Sequence, residues 1–154
     1  MSDVDWEVVP YDDPRLQILV AEVQAEYVAR SGGPDGTPID AEAFVPPAGS
    51  FLLGLIDGEP VACGAYRRHE DEVAEIKRMY VRADWRRRGI ARELLTELEI
   101  RAAEAGYLRA VLETGTEQPE ALALYPSAGW TSIPGYGHYK WSPRNRCFAK
   151  DLTP

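Results

Sequence analysis

The chain has 154 residues, 45% of them hydrophobic and 27% charged, the balance of one globular domain long enough to bury roughly two thirds of its unfolded surface in a single core. A formal net charge of −8 excludes general binding to nucleic acid or to an anionic membrane, since neither polyanion is drawn to the molecule as a whole. No apolar run approaches a membrane span, and the opening MSDVDWEVVP is acidic where a secretory signal is basic and then apolar, so a cytoplasmic protein without a membrane partner is expected. Cys63 and Cys147 have the spacing of neither a disulfide framework nor a metal site and read as reduced core residues.

The charge is unevenly spread. Residues 1–59 hold twelve acids against Arg15 and Arg30, a local balance of −10, whereas residues 76–92 hold Lys77, Arg78, Arg82, Arg86, Arg87, Arg88 and Arg92 against Asp84, a balance of +6. A compact positive patch on an acidic protein suggests a small anionic ligand.

In chain order, Val4 to Val9 alternates apolar and acidic residues, the pattern of a strand with one buried face. Asp12 or Asp13 then caps a helix with Pro14 in its first turn and Leu16, Leu19, Val20, Val23 and Tyr27 on one stripe, ending near Ser31 before Gly32-Gly33. GGPDGTPID reads as loop, and Asp40 caps a short helix through Phe44 that Pro46-Pro47 stops. Ser50–Ile56 and Pro60–Arg68 are strands joined by the hairpin signal Asp57-Gly58, with Val73–Val81 a third. Helical spacing resumes after Arg88 and runs to Gly106, Leu108–Thr114 is a buried strand, and Pro119 opens a helix through Tyr125. Trp130–Ile133 and Cys147–Leu152 are the last strands. The order is that of a mixed α/β single domain spanning 1–154.

The segment EIKRMYVRADWRRRGIARELL places a buried strand, an arginine-rich turn with a glycine, and a helix in succession. A helix's first turn has unpaired N–H donors and the positive end of the macrodipole, so a diphosphate can rest there on backbone groups. The run Arg86-Arg87-Arg88-Gly89-Ile90-Ala91 fits the Arg/Gln-x-x-Gly-x-Gly/Ala acyl-CoA motif, and EIKRMYV before it, QPEALALYPSAGW after it and the terminal CFAKDL follow in matching order. Over about residues 50–152 the sequence thus resembles the GCN5-related N-acetyltransferase (GNAT) family. The resemblance implies the acyl-CoA N-acyltransferase fold, a mostly antiparallel central sheet with a splayed strand pair flanked by helices, and acetyl-CoA as acyl donor without a metal.

By the same resemblance, the backbone N–H groups of Arg88, Gly89, Ile90, Ala91 and Arg92 receive the pyrophosphate, with Arg86 and Arg87 adding charge. The main chain of Met79, Tyr80 and Val81 pairs with the pantetheine arm, and one of its N–H groups polarises the thioester carbonyl. Tyr125 matches the family's general acid, although Pro126 threatens the helix geometry at the residue before it. Gln118 stands where relatives carry an Asn that bonds the pantetheine or aids the acid. Glu75 is the candidate base, acting through water, unless it merely pairs with Lys77 two residues along the same strand face.

Other residues carry weaker signals. Tyr27, Phe44, Tyr66, Tyr136 and Trp141 could frame an aromatic or amphipathic amine, and Tyr136 and His138 lie in a glycine-rich loop that could close over the acceptor, while His69 reads as solvated. The expected function is acetyl transfer to a primary amine of a small molecule, with a cationic acceptor suggested by the N-terminal acids. Transfer to a protein lysine or N-terminus, or a non-catalytic acyl-CoA sensor, are the alternatives. A monomer or a homodimer is expected.

Overall fold

The computed structural model describes residues 3–33, 40–116, 118–137 and 139–152. Seven strands, β1 Asp5–Val9, β2 Ser50–Ile56, β3 Glu59–Glu70, β4 Val73–Val81, β5 Arg109–Gly115, β6 Thr131–Ile133 and β7 Asn145–Asp151, form one sheet in the order β1-β2-β3-β4-β5-β7-β6. Every neighbouring pair is antiparallel except β4 and β5. Helix α1 (Pro14–Ser31) lies on one face, and α2 (Ile90–Glu104) with α3 (Pro119–Ser127) packs on the other.

Local chemistry sets these elements. The Asp13 carboxylate accepts from the Arg15 backbone N–H at 2.8 Å, starting α1, and Gly32 at φ +82° ends it. On the α1 face, Leu16, Leu19 and Val23 meet Phe51, Leu53 and Ala65. On the opposite face, Leu94, Leu95 and Leu98 of α2 and Tyr125 of α3 meet Leu52, Ile76, Leu112 and Phe148. At Gly64 an added Cβ would stand 3.1 Å from Leu98 and 3.2 Å from Leu94, so the missing side chain lets α2 sit close to the sheet.

Two irregularities in β4 shape the middle of the sheet. Ala65 pairs with Lys77 but Cys63 pairs with Tyr80, so β4 carries one extra residue there, and Arg78 takes φ +59° within this bulge. On its other edge β4 pairs with β5 only from Val73–Arg109 to Glu75–Val111. Beyond that point β5 stays with β7 as far as Gly115–Asn145, while β4 keeps to β3. The two central strands are split.

Several expectations need adjustment. The short helix after Asp40 is a single 3-10 turn, Ala41–Phe44, and residues 34–39 of the expected loop lie outside the described residues. Trp130 is a buried core residue ahead of β6 rather than its first residue. Helix α3 passes through Pro126 to Ser127, because the Tyr125 ring is held against Trp130 and Phe148, with centroids 6.0 and 5.7 Å away. Cys63 and Cys147 are buried free thiols. Among the described residues no helix is long and apolar enough to cross a membrane, and no three metal-ligating side chains cluster.

Leu98 is completely buried between α2 and the sheet. Leu98→Ala is expected to lower unfolding free energy by about 2–5 kcal/mol, read from the urea denaturation midpoint; a loss below about 1 kcal/mol would show that the interface is not close-packed.

Candidate active site

The split leaves the β5-facing edge of β4 unpaired beyond Glu75 among the described residues. Met79, Tyr80 and Val81 lie along this edge. Extended backbone with free N–H and C=O groups is the template for an added strand, which suits a pantetheine arm with its two amides. Tyr80 faces α1, where its hydroxyl donates to Glu22 at 3.0 Å; burial and then that carboxylate push the phenol up to about 12. Met79 packs on the opposite face, beside the α2–α3 core.

Past β4, a turn through Arg86–Gly89 delivers the chain to α2. Gly89 is the N-cap at φ +80°, no side chain caps the helix, and no atom lies within 4 Å of where a Gly89 Cβ would stand. The first turn of α2, with the N–H groups of Ile90, Ala91 and Arg92, thus has no side-chain cap and clear space beside its Gly89 start, a fit for a diphosphate. The three arginines differ. Arg86 is spoken for, donating to Glu26 of α1 at 2.7 Å and to the Val81 carbonyl at 2.8 Å. Arg87 is exposed at φ +65°, and Arg88, also exposed, lies over the Trp85 ring at 4.8 Å. Arg92 donates to the Ser127 hydroxyl at 2.6 Å, tying α2 to α3 across the groove.

Tyr125 lies on the far side of the split from the β4 edge, and its hydroxyl points at the Met79 sulfur, 3.7 Å away. Burial raises its pKa, so the phenol keeps its proton throughout the neutral range. The helix survives Pro126 because the lost bond is local: Ala128 N–H still reaches the Leu124 carbonyl at 3.0 Å and Trp130 N–H reaches that of Tyr125 at 3.0 Å. Gln118 is the half-buried N-cap of α3, with no capping bond from its side chain.

Glu75 is 3% exposed at the last β4–β5 pair. It pairs with Arg67 of β3 at 2.9 Å and not with Lys77. Tyr136, from the loop after β6, brings a buried hydroxyl to the Glu75 and Glu113 carboxylates, and burial followed by the Glu75 charge raises its pKa. A Cβ on Gly137 would come within 3.2 Å of the Glu113 carboxylate. The loop is thus laid directly over the acids at the root of the split. His69, expected to be solvated, is exposed but also stacks edge-on against Tyr136 at 4.8 Å.

Not every aromatic candidate is here. Phe44 is a core residue, 3% exposed and 4.9 Å from Phe51, and Tyr66 is buried against Tyr107, while Trp141 is 88% exposed. Tyr27 of α1 is half-buried and near enough to Tyr125 to help raise that phenol. His138 lies outside the described residues. Sequence reasoning missed Met79 as the neighbour of Tyr125 and Arg67 as the partner of Glu75. Only the second left a trace, in the alternation that puts Arg67 across from Glu75 on the neighbouring strand.

The fold agrees with what the chain resembles. A protein named IAA acetyltransferase from Azospirillum brasilense is 33% identical over 115 residues, covering 74% of this chain and 75% of its own length. The crystal structure of a Klebsiella pneumoniae protein assigned to the acyl-CoA N-acyltransferases superposes with TM-score 0.84 at 25% identity, over 97% of this chain and 98% of that one. A GNAT acetyltransferase from Elizabethkingia anophelis, solved with acetyl-CoA bound, has the same fold (TM-score 0.73, 16% identity, 98% and 99% covered). The model of the acetyltransferase (GNAT) family matches residues 13–130, and with an uncapped glycine-started helix at the end of a split strand pair, this chain belongs to that family and is an N-acetyltransferase.

Proposed function

We propose that the protein transfers an acetyl group from acetyl-CoA to the primary amine of a small molecule by direct attack on the thioester. The observation that carries this reading is the Tyr125 hydroxyl, buried and held 3.7 Å from Met79 on the open edge of β4. Bound acetyl-CoA supplies an acyl group activated as a thioester. The α2 N–H groups from Gly89 to Arg92 hold its pyrophosphate, with charge from Arg87, Arg88 and Arg92; Arg86 orients the turn through Glu26 instead. The β4 edge at Met79–Val81 aligns the pantetheine arm, and one N–H there polarises the carbonyl. Gln118, at the mouth of α3, bonds the same arm.

Two proton movements complete the reaction. Alkyl amines are mostly protonated near neutral pH, so Glu75 takes a proton from the acceptor through water. Tyr125 gives one to the departing thiolate. Its raised pKa weakens it as an acid but guarantees that the proton is present. A small acceptor fits better than a polypeptide, because the α1 side of the split is roofed: Tyr136 covers Glu75, and Arg30 of α1 pairs with Glu120 of α3. Tyr27 and Tyr136 then frame the acceptor.

Two substitutions test the assignment. Tyr125→Phe is expected to cut kcat at least tenfold with acetyl-CoA affinity changed less than about twofold, and the wild-type rate should show no falling limb from this phenol below about pH 10; full turnover by the variant would remove the general acid. Acetyl-CoA at about 100 times its dissociation constant stabilises a protein by roughly 2.7 kcal/mol. That rise in Tm should be present in the wild type and absent in Gly89→Glu, which puts a charged side chain in the open space over α2. An equal rise in both would displace the pyrophosphate from this turn.

A further inference from the structure

We propose that Arg86 is a positioning residue for the acyl donor: its side chain occupies the β4 edge at Val81, ends the stretch open to an added strand, and so fixes the register in which the pantetheine arm docks. The inference rests on the function proposed above and deepens it. Its ground is the direction of one peptide. Val81 stands opposite Ala62, and the N–H of the next residue, Arg82, donates to the Val61 carbonyl at 2.9 Å. Antiparallel ladders alternate hydrogen-bonded and non-hydrogen-bonded pairs. Val61–Arg82 is of the first kind, so Ala62–Val81 is of the second, and the Val81 N–H and C=O both point away from β3, toward the edge that β5 leaves beyond Glu75.

Arg86 takes half of that pair. Its Nε donates to the Val81 carbonyl at 2.8 Å, so it stands where the N–H of an added strand would have to stand. The guanidinium is held there from α1 and from β4: Nη2 donates to Glu26 at 2.7 Å, and the Cζ atom lies over the Tyr80 ring, 5.6 Å from its centroid. Its charge already has a carboxylate partner.

An arm laid along Met79–Val81 thus finds the Val81 N–H open and the carbonyl closed. It leaves the strand at that point, where the chain itself turns toward α2. With the carbonyl uncovered, a second register becomes available in which the arm pairs one step nearer α2. That register draws the thioester back from the Tyr125 hydroxyl, which faces Met79. The atom that matters is Nε. Glutamine carries its amide nitrogen at the same position along the side chain, where methionine carries a methyl group, so the two substitutions remove the charge alike and differ in the donor.

The test compares Arg86→Met and Arg86→Gln with the wild type on acetyl-CoA and on S-acetylpantetheine, which has the arm without the pyrophosphate, with thiol release as readout. Arg86→Met should lower kcat at least threefold on both donors with no rise in KM, the mark of a donor bound out of place rather than bound weakly, and Arg86→Gln should stay within about twofold of the wild type. A KM raised for acetyl-CoA alone would make Arg86 a phosphate ligand and overturn the inference. An unchanged kcat in Arg86→Met, or equal impairment of both variants, would overturn it too. The backbone amide resonances of Met79 and Val81 in isotope-labelled protein read the register without turnover. Saturating CoA should give one bound set in the wild type and in Arg86→Gln, and two sets or exchange broadening in Arg86→Met; one set in all three overturns the inference. A wild type that shows these bound resonances but acetylates no amine counts only against the transfer reaction. Arg86→Leu, which also lacks a donor, takes the place of the methionine variant should that variant not fold.

Discussion

The site depends on β4 being made to leave β5 after three paired residues. A parallel pair that continued would satisfy every backbone group on both edges and leave nothing for a ligand. Here β4 carries an extra residue around Arg78 and stays paired with β3, while β5 remains bound to β7 along its whole length. The strands separate at Glu75–Val111, so the β4 edge is open beyond Glu75, and the bulge at Arg78 shifts which side chains face each side of the sheet along it. A non-glycine residue at φ +59° is uncommon and stands only where surrounding structure enforces it. In this chain the flanking pairs with β3 on either side do so.

An opened sheet must be held open, and polar side chains on the rim do this. Glu22 and Glu26 lie one turn apart on α1 and reach, respectively, Tyr80 with Arg82 and Arg86. Arg30, a further turn along, reaches Glu120 of α3, and Arg92 joins α2 to Ser127 of α3. Each contact is partly exposed and individually worth little. Their effect is geometric: helices from opposite faces of the sheet are tied around a single groove, so the Tyr125 hydroxyl and the β4 edge keep their separation. The arginine run is thus divided, with Arg86 engaged by Glu26 and the Val81 carbonyl while Arg87 and Arg88 stay exposed.

Features written in local chemistry were readable in the sequence. Asp13, Pro14 and Gly32 bound α1, the Asp57-Gly58 pair turns β2 into β3, and β4 runs over the residues that its composition suggests. The glycine that starts α2 was legible because it belongs to a short contiguous motif. What was not legible depends on contacts between distant segments. Nothing near Phe44 says that Phe51 covers it, and Pro126 argues locally against the helix that packing around Tyr125 keeps. The acids of the first third illustrate the same limit: their number is visible in composition, but not that arginines sixty residues away neutralise the two nearest the site.

Charge at the root of the split follows from strand geometry as much as from composition. Alternation places Glu75 and Lys77 on one face, and the shared direction of their side chains would ordinarily invite a pair. Arg67, across the β3–β4 ladder, takes Glu75 instead, as expected where an opposite charge stands directly across the ladder. Lys77 stands opposite Ala65 in the same ladder. The register fixes both residues together, since a slip of one residue would turn both to the other face of the sheet. Because the same strand also carries the edge left open beyond Glu75, the register that seats the buried acid also fixes which residues border that edge.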